Sequence, residues 1–184
     1  MRTARDEKVP AELLRRESAT RNGAHRPLRI WLVDDDEVFR ELMARQLDKG
    51  HALQCERQFA SGELLLSALS REAQPQAIVV DVHLRDRNGI DFIQPIKALA
   101  TATRVLMLAT FFDPAQAARA LKEGASAFLL KSSSLDEIRE QIIDSTRADF
   151  PHPRLYLRAN GHGRASNRQS LPRNGRIRGA DGRH

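Results

Sequence analysis

Residues 30–50 read IWLVDDDEVFRELMARQLDKG, and the fold turns on how this stretch is parsed. Ile30, Trp31, Leu32 and Val33 form an unbroken apolar run of strand length. Three aspartates follow, and then Val38, Phe39, Leu42, Met43 and Leu47 recur at helical spacing, which predicts a helix with one buried face. Asp36 or Asp35 caps its start, and Gly50 after Lys49 ends it. The unit is a strand, an acidic turn and a helix.

The same unit repeats downstream. Further strand-like runs are Ala52–Cys55, Ala77–Val80, Val105–Leu108 and Ala127–Leu130. The helical patterns between and after them are Glu63–Arg71, Asp91–Leu99, Pro114–Glu123 closed by Gly124, and Leu135–Thr146. Pro95 is tolerated only in a first turn, so the third helix is expected to start late. Apolar runs without alternation, flanked by helices, predict strands buried on both faces and joined by right-handed crossovers. The expected fold class is α/β, a (βα)5 doubly wound parallel sheet of flavodoxin-like topology.

A chain of 184 residues fits one such domain with extensions, here 1–27 and 148–184 around a domain at 28–147. No charge-free stretch approaches the roughly 18 residues of a membrane helix, and the N-terminus lacks the apolar stretch of a secretory signal, so neither a membrane nor export is expected. Cys55 is the only cysteine, which excludes an internal disulfide and suits a reducing cytoplasm; it reads as a strand residue without redox function. The net charge of +6 is uneven: +3 over residues 1–28, −3 over 29–147 and +6 over 148–184. Nucleic-acid arguments therefore attach to the flanks and not to the core-forming part. Residues 148–184, with eight arginines, no lysine, three prolines and five glycines, read as disordered, as does 1–27.

Ligands of doubly wound sheets sit beyond the carboxyl ends of the strands, near the point where strand order reverses. The first strand ends in Asp34-Asp35-Asp36, the third in Asp81 and the fifth in Lys131, so acids and a lysine meet at one edge. Clustered carboxylates call for a hard cation, and magnesium takes one or two carboxylates plus waters and a phosphate. A lysine supplies a compact charge suited to a phosphoryl oxygen. Asp36 reads as a helix cap only, Gly89 as a turn position with φ > 0, and the His83 side chain as an exposed loop group.

Three segments in order, Leu32-Val33-Asp34-Asp35, Val79-Val80-Asp81-Val82-His83-Leu84 with Gly89, and Gly124-Ala125-Ser126-Ala127-Phe128-Leu129-Leu130-Lys131, resemble the receiver domain of bacterial two-component response regulators. The resemblance covers about residues 28–147. It implies that Asp81 accepts a phosphoryl group from a sensor histidine kinase and that Lys131 pairs with that group. It further implies that Mg2+ is held by Asp34, Asp35, Asp81 and the backbone carbonyl of His83. Such a domain is a signalling switch and not an enzyme in the ordinary sense. The surface at 113–147 would be a homodimer face, with Phe128 as its aromatic or else an ordinary core residue.

The sequence departs from the family pattern where a threonine or serine usually ends the fourth strand: Ala109 stands there, followed by Thr110, whose side chain a one-residue shift would turn to the other face. Arg85 and Ser132 stand where a proline, or for Ser132 a proline or acid, is common. The loop and fifth-strand sequences look like the subfamily whose receivers precede a LuxR-type helix-turn-helix, which suggests transcriptional control. Residues 148–184 hold no pair of amphipathic helices of that kind. The tail then reads as a linker, a product of a shifted frame, or an arginine-rich arm binding DNA weakly and without sequence preference. Rival readings are a degenerate receiver that only binds a protein partner, and a phosphatase-like or flavin-binding enzyme of similar topology.

Overall fold

Strands that are apolar along their whole length need cover on both faces, and the chain supplies it with helices of matching apolar stripes. The computed structural model describes residues 26–85 and 87–147 together with a short strand at Arg154–Leu155. In chain order the elements are β1 (Leu28–Val33), α1 (Glu37–Leu47), β2 (Leu53–Phe59), α2 (Gly62–Leu69), β3 (Ala77–Asp81) and a 3-10 turn at Gly89–Phe92 running into α3 (Ile93–Leu99). They continue as β4 (Arg104–Ala109), α4 (Pro114–Lys122), β5 (Ala127–Leu130), α5 (Leu135–Ser145) and β6 (Arg154–Leu155). All strand pairs are parallel, in the order β2-β1-β3-β4-β5-β6. This is the expected flavodoxin-like sheet of five main strands and five helices.

The alternation of side chains along each strand sorts the core into two layers. Trp31, Val33, Ile78, Val80, Val105, Met107 and Phe128 point to the face covered by Leu65 and Leu69 of α2, Ile93 and Ile96 of α3, and Ala117 and Ala120 of α4. Ile30, Leu32, Val79, Leu106, Leu108 and Leu129 point to the other, covered by Met43, Ala44 and Leu47 of α1 and Ile138 and Ile142 of α5.

Three local readings are corrected. Strand β2 runs on to Phe59 through Glu56, Arg57 and Gln58, because it lies at the sheet edge, where one side of each residue meets solvent. Helix α1 buries Met43, Ala44 and Leu47 and leaves Val38 and Leu42 exposed at 78% and 55%; at about 100° per residue those two lie on the side of the helix away from Ala44 and Leu47. Gly89 does not have positive φ. Its requirement is steric, since a Cβ there would stand 1.9 Å from the carbonyl oxygen of Asp81. Of the two readings of Phe128, its full burial in the layer covered by α2, α3 and α4 favours the ordinary core residue.

Other expectations hold in detail. Pro95 is the third residue of α3, within its first turn. Gly50 and Gly124, past the ends of α1 and α4, have φ of +103° and +104°. Cys55 lies in β2, and burial pushes its thiol up to about 12. The readings of 1–27 and 148–184 as structureless fall almost wholly outside the described residues. Within the tail the described part is β6, which pairs Arg154 with Ala127 and Leu155 with Phe128 and was not foreseen.

Candidate functional site

Strand order reverses between β1 and β3: the chain leaves β1 toward β2, then returns past β1 to β3. Crossovers diverging from neighbouring strands leave a crevice at their carboxyl ends. Asp34 follows directly on β1, Asp81 is the last residue of β3, and Lys131 follows directly on β5. The Lys131 ammonium donates to Asp34 Oδ2 at 2.7 Å and to Asp81 Oδ2 at 2.8 Å. Its position is fixed from the main chain, where its N–H donates to the Ala109 carbonyl at 2.8 Å.

Asp35 completes a carboxylate triad. Among the described residues, Asp34, Asp35 and Asp81 each offer an oxygen, and all three lie within 4.8 Å of one another. Asp34 is fully buried and Asp81 is 4% exposed. Burial pushes the Asp34 carboxyl above the usual carboxylate range and the charge of Asp81 adds to this, against the hydrogen bond from Lys131. Burial alone would lower the Lys131 ammonium, but its hydrogen bonds to Asp34 and Asp81 outweigh that and hold it above the usual lysine value.

The loops around the triad are built on backbone contacts. The Asp36 carboxylate accepts from the Phe39 N–H at 3.0 Å and so caps α1, while its own N–H donates to Asp34 Oδ1 at 3.0 Å. Past β3, the His83 N–H donates to Asp81 Oδ1 at 3.3 Å, which sets the His83 backbone against the carboxylate while its side chain stays exposed. The Gly89 N–H returns to the Val82 carbonyl at 2.8 Å, closing this loop over Asp81. Ala109 ends β4 fully buried and without a hydroxyl, and Thr110 beyond it is exposed.

Asp34, Asp35, Asp81, Lys131 and the His83 backbone are therefore brought together; Phe128 is not among them. Three contacts escaped the sequence reading. Arg40 Nη1 donates to the Asp34 carbonyl at 2.5 Å, and Arg85 Nε stands 3.8 Å from Asp35 Oδ2. The ring of Phe39, read only as part of a buried stripe, lies with its centroid 4.3 Å from Lys131 Nζ. Its position in the first turn after the acidic run was the signal available for it.

The sequence matches the response regulator receiver domain over residues 30–143, and the chain belongs to that family. Receiver domains are signalling modules of two-component systems, mostly non-enzymatic, that interact with histidine kinases, often dimerise, and typically bind Mg2+ in an acidic pocket. Among its relatives, the transcriptional regulatory protein LnrK of Bacillus subtilis is 31% identical over 116 residues, 63% of this chain and 52% of LnrK. The photosynthetic apparatus regulatory protein RegA of Cereibacter sphaeroides is 30% identical over 139 residues, 75% of this chain and 72% of RegA. This chain thus spans about half the length of LnrK. A two-component response regulator of the LuxR family from Aurantimonas superposes with a TM-score of 0.62 at 28% identity, covering 71% of this chain and 89% of that one. A response regulator from Burkholderia pseudomallei, solved with a phosphorylated aspartic acid and a calcium ion, gives 0.56 at 28% identity over 67% and 68%. No helix among the described residues is long and apolar enough to cross a membrane.

Proposed function

We propose that this domain is a cytoplasmic phosphoacceptor in which Asp81 takes a phosphoryl group from the phosphohistidine of a sensor histidine kinase and so changes a partner-binding surface in transcriptional control. The observation that carries this is the Asp81 carboxylate at the switch point, 2.8 Å from Lys131 Nζ and within 4.8 Å of two further carboxylates. In the transfer an Asp81 oxygen attacks phosphorus, a P–O bond forms as the P–N bond breaks, and the electron pair stays on the imidazole nitrogen. The product is an acyl phosphate on Asp81.

Such transfers depend on position and charge neutralisation more than on covalent chemistry by the protein. Lys131 would follow the incoming oxygens, exchanging its bond to Asp81 for one to the phosphoryl group while Asp34 keeps it in place. Three carboxylates against one ammonium leave two formal negative charges, which fits a divalent cation with oxygen ligands. Asp34, Asp35, Asp81 and the His83 carbonyl would hold magnesium, which supplies further neutralisation of phosphoryl charge when bound. The surface at 113–147, comprising α4, β5 and α5, is the face we assign to a second copy of the chain.

The test is mass spectrometry after incubation with acetyl phosphate and magnesium. One added phosphoryl group is expected, and none in Asp81→Asn; full labelling of that variant overturns the assignment. Ala109 supports a second reading, a protein-binding module that does not switch, because that position offers a phosphoryl group no hydroxyl. Hydrogen exchange in residues 110–113 that is unchanged by phosphorylation would favour it.

A further inference from the structure

We infer that Phe39 is a positioning residue for Lys131, its ring face holding the ammonium at the point where Asp34 and Asp81 converge. The inference rests on the phosphoacceptor reading for its functional consequence, though not for its geometry. An ammonium has three N–H donors. Two of those of Lys131 go to Asp34 and Asp81, and among the described residues no third acceptor faces it; the Phe39 ring does, with its centroid 4.3 Å from Nζ. The negative face of an aromatic ring attracts a cation, more strongly where water is excluded.

The neighbouring contacts fix the ring. Phe39 is the third residue of α1, its N–H bound to the Asp36 cap at 3.0 Å, and the next residue, Arg40, ties the same turn to the Asp34 carbonyl. Phe39 is half-buried, whereas Val38 beside it is 78% exposed, so the turn presents the ring and not the aliphatic neighbour to the site. The choice of partner also has a chemical sense. A fourth carboxylate would hold Lys131 equally well but would repel an anionic phosphoryl group and bind cations itself. A ring holds the ammonium without adding negative charge.

The test uses the full chain with two readouts. In 13C-lysine-labelled protein, the Lys131 ε-methylene protons of the wild type should lie upfield of those of the other four lysines through the ring current, and Phe39→Leu should remove that shift. With acetyl phosphate and magnesium, Phe39→Leu should lower the maximal rate of phosphorylation about five- to thirty-fold with little change in half-saturation, while Phe39→Tyr and Phe39→Trp restore it. An unshifted ε-methylene in the wild type overturns the inference whatever the variants do. So does a Tyr or Trp variant that folds, as judged by thermal melting, and is as slow as Phe39→Leu. A wild type that shows the shift but takes up no phosphoryl group would refute the phosphoacceptor reading and leave the placement of Phe39 standing.

Discussion

Replacing Lys131 by methionine keeps most of the stem and removes the ammonium that two buried carboxylates share. The lost contacts are at 2.7 and 2.8 Å, and what stays behind is a pair of carboxylates whose oxygens lie within 4.8 Å. At an effective dielectric of about 20, two such charges repel by about 3.5 kcal/mol. Removing one partner of a buried ion pair costs about 3–5 kcal/mol in general, so the two figures agree. Urea unfolding followed by the single tryptophan, Trp31, which is 1% exposed, should report the loss in a metal-free buffer at pH 8. With a slope of about 2 kcal/mol/M, the midpoint should fall by about 1.5–2.5 M. The loss should shrink on acidification. Asp34 has a raised folded pKa, so ionising it costs stability as pH climbs from its ordinary 3.8 through the folded value, and without Lys131 that window extends further upward. Lys131 itself has a raised folded pKa, so its contribution is complete below its ordinary 10.5 and is lost above the folded value. A midpoint unchanged at pH 8, or a gap between the proteins that widens toward pH 5, would refute this electrostatic account.

Other changes are as direct to check. Asp35→Ala should abolish magnesium binding measured by calorimetry, since it removes one of the three carboxylates proposed to hold the ion; retained affinity would reduce the acidic run to a helix cap. Gly89→Ala forces a Cβ to 1.9 Å from the Asp81 carbonyl oxygen and should destabilise the fold by about 3 kcal/mol in the same urea assay, with phosphoryl uptake lost at temperatures where the protein is still folded. A chain ending at Arg147 should keep its circular dichroism and phosphoryl uptake while losing any weak, steeply salt-dependent DNA affinity, because the +6 charge of residues 148–184 goes with the tail. Preference of the full chain for one DNA sequence over a scrambled one at physiological salt would contradict that.

The central strands were legible because strands buried on both faces are apolar throughout: β1, β3, β4 and β5 stand within two residues of where the sequence puts them. Edge strand β2 obeys a different rule, and its charged middle, Glu56 and Arg57, concealed half its length. In α1, counting large apolar residues favoured Val38 and Leu42, whereas the buried face takes the small Ala44 in their place. At the site, Asp34, Asp35, Asp81 and Lys131 were readable because each adjoins the end of an apolar run, and topology alone brings such ends together. Phe39 was not, because its partner lies 92 positions away and the spacing within α1 already explained it as a core residue. Gly89 was misread for a related reason: a glycine needed for clearance looks the same in a sequence as one needed for its backbone angles.

The bond between Lys131 and Asp34 joins residues 97 positions apart, across a sheet whose fifth strand is the last of the main five to be made. As the chain emerges in synthesis, β1 and β3 can pair and bring Asp34 and Asp81 side by side well before the Lys131 ammonium that they share reaches them. Until β5 docks, Asp34 and Asp81 lie together at the mouth of an unfinished sheet without the ammonium that bridges them. The bridging ammonium and the last main strand arrive in one event, so a chain that stalls before β5 lacks the group on which the proposed phosphoryl capture would depend. With Asp81 as the proposed phosphoacceptor, acceptance of a signal would thereby be tied to completion of the fold.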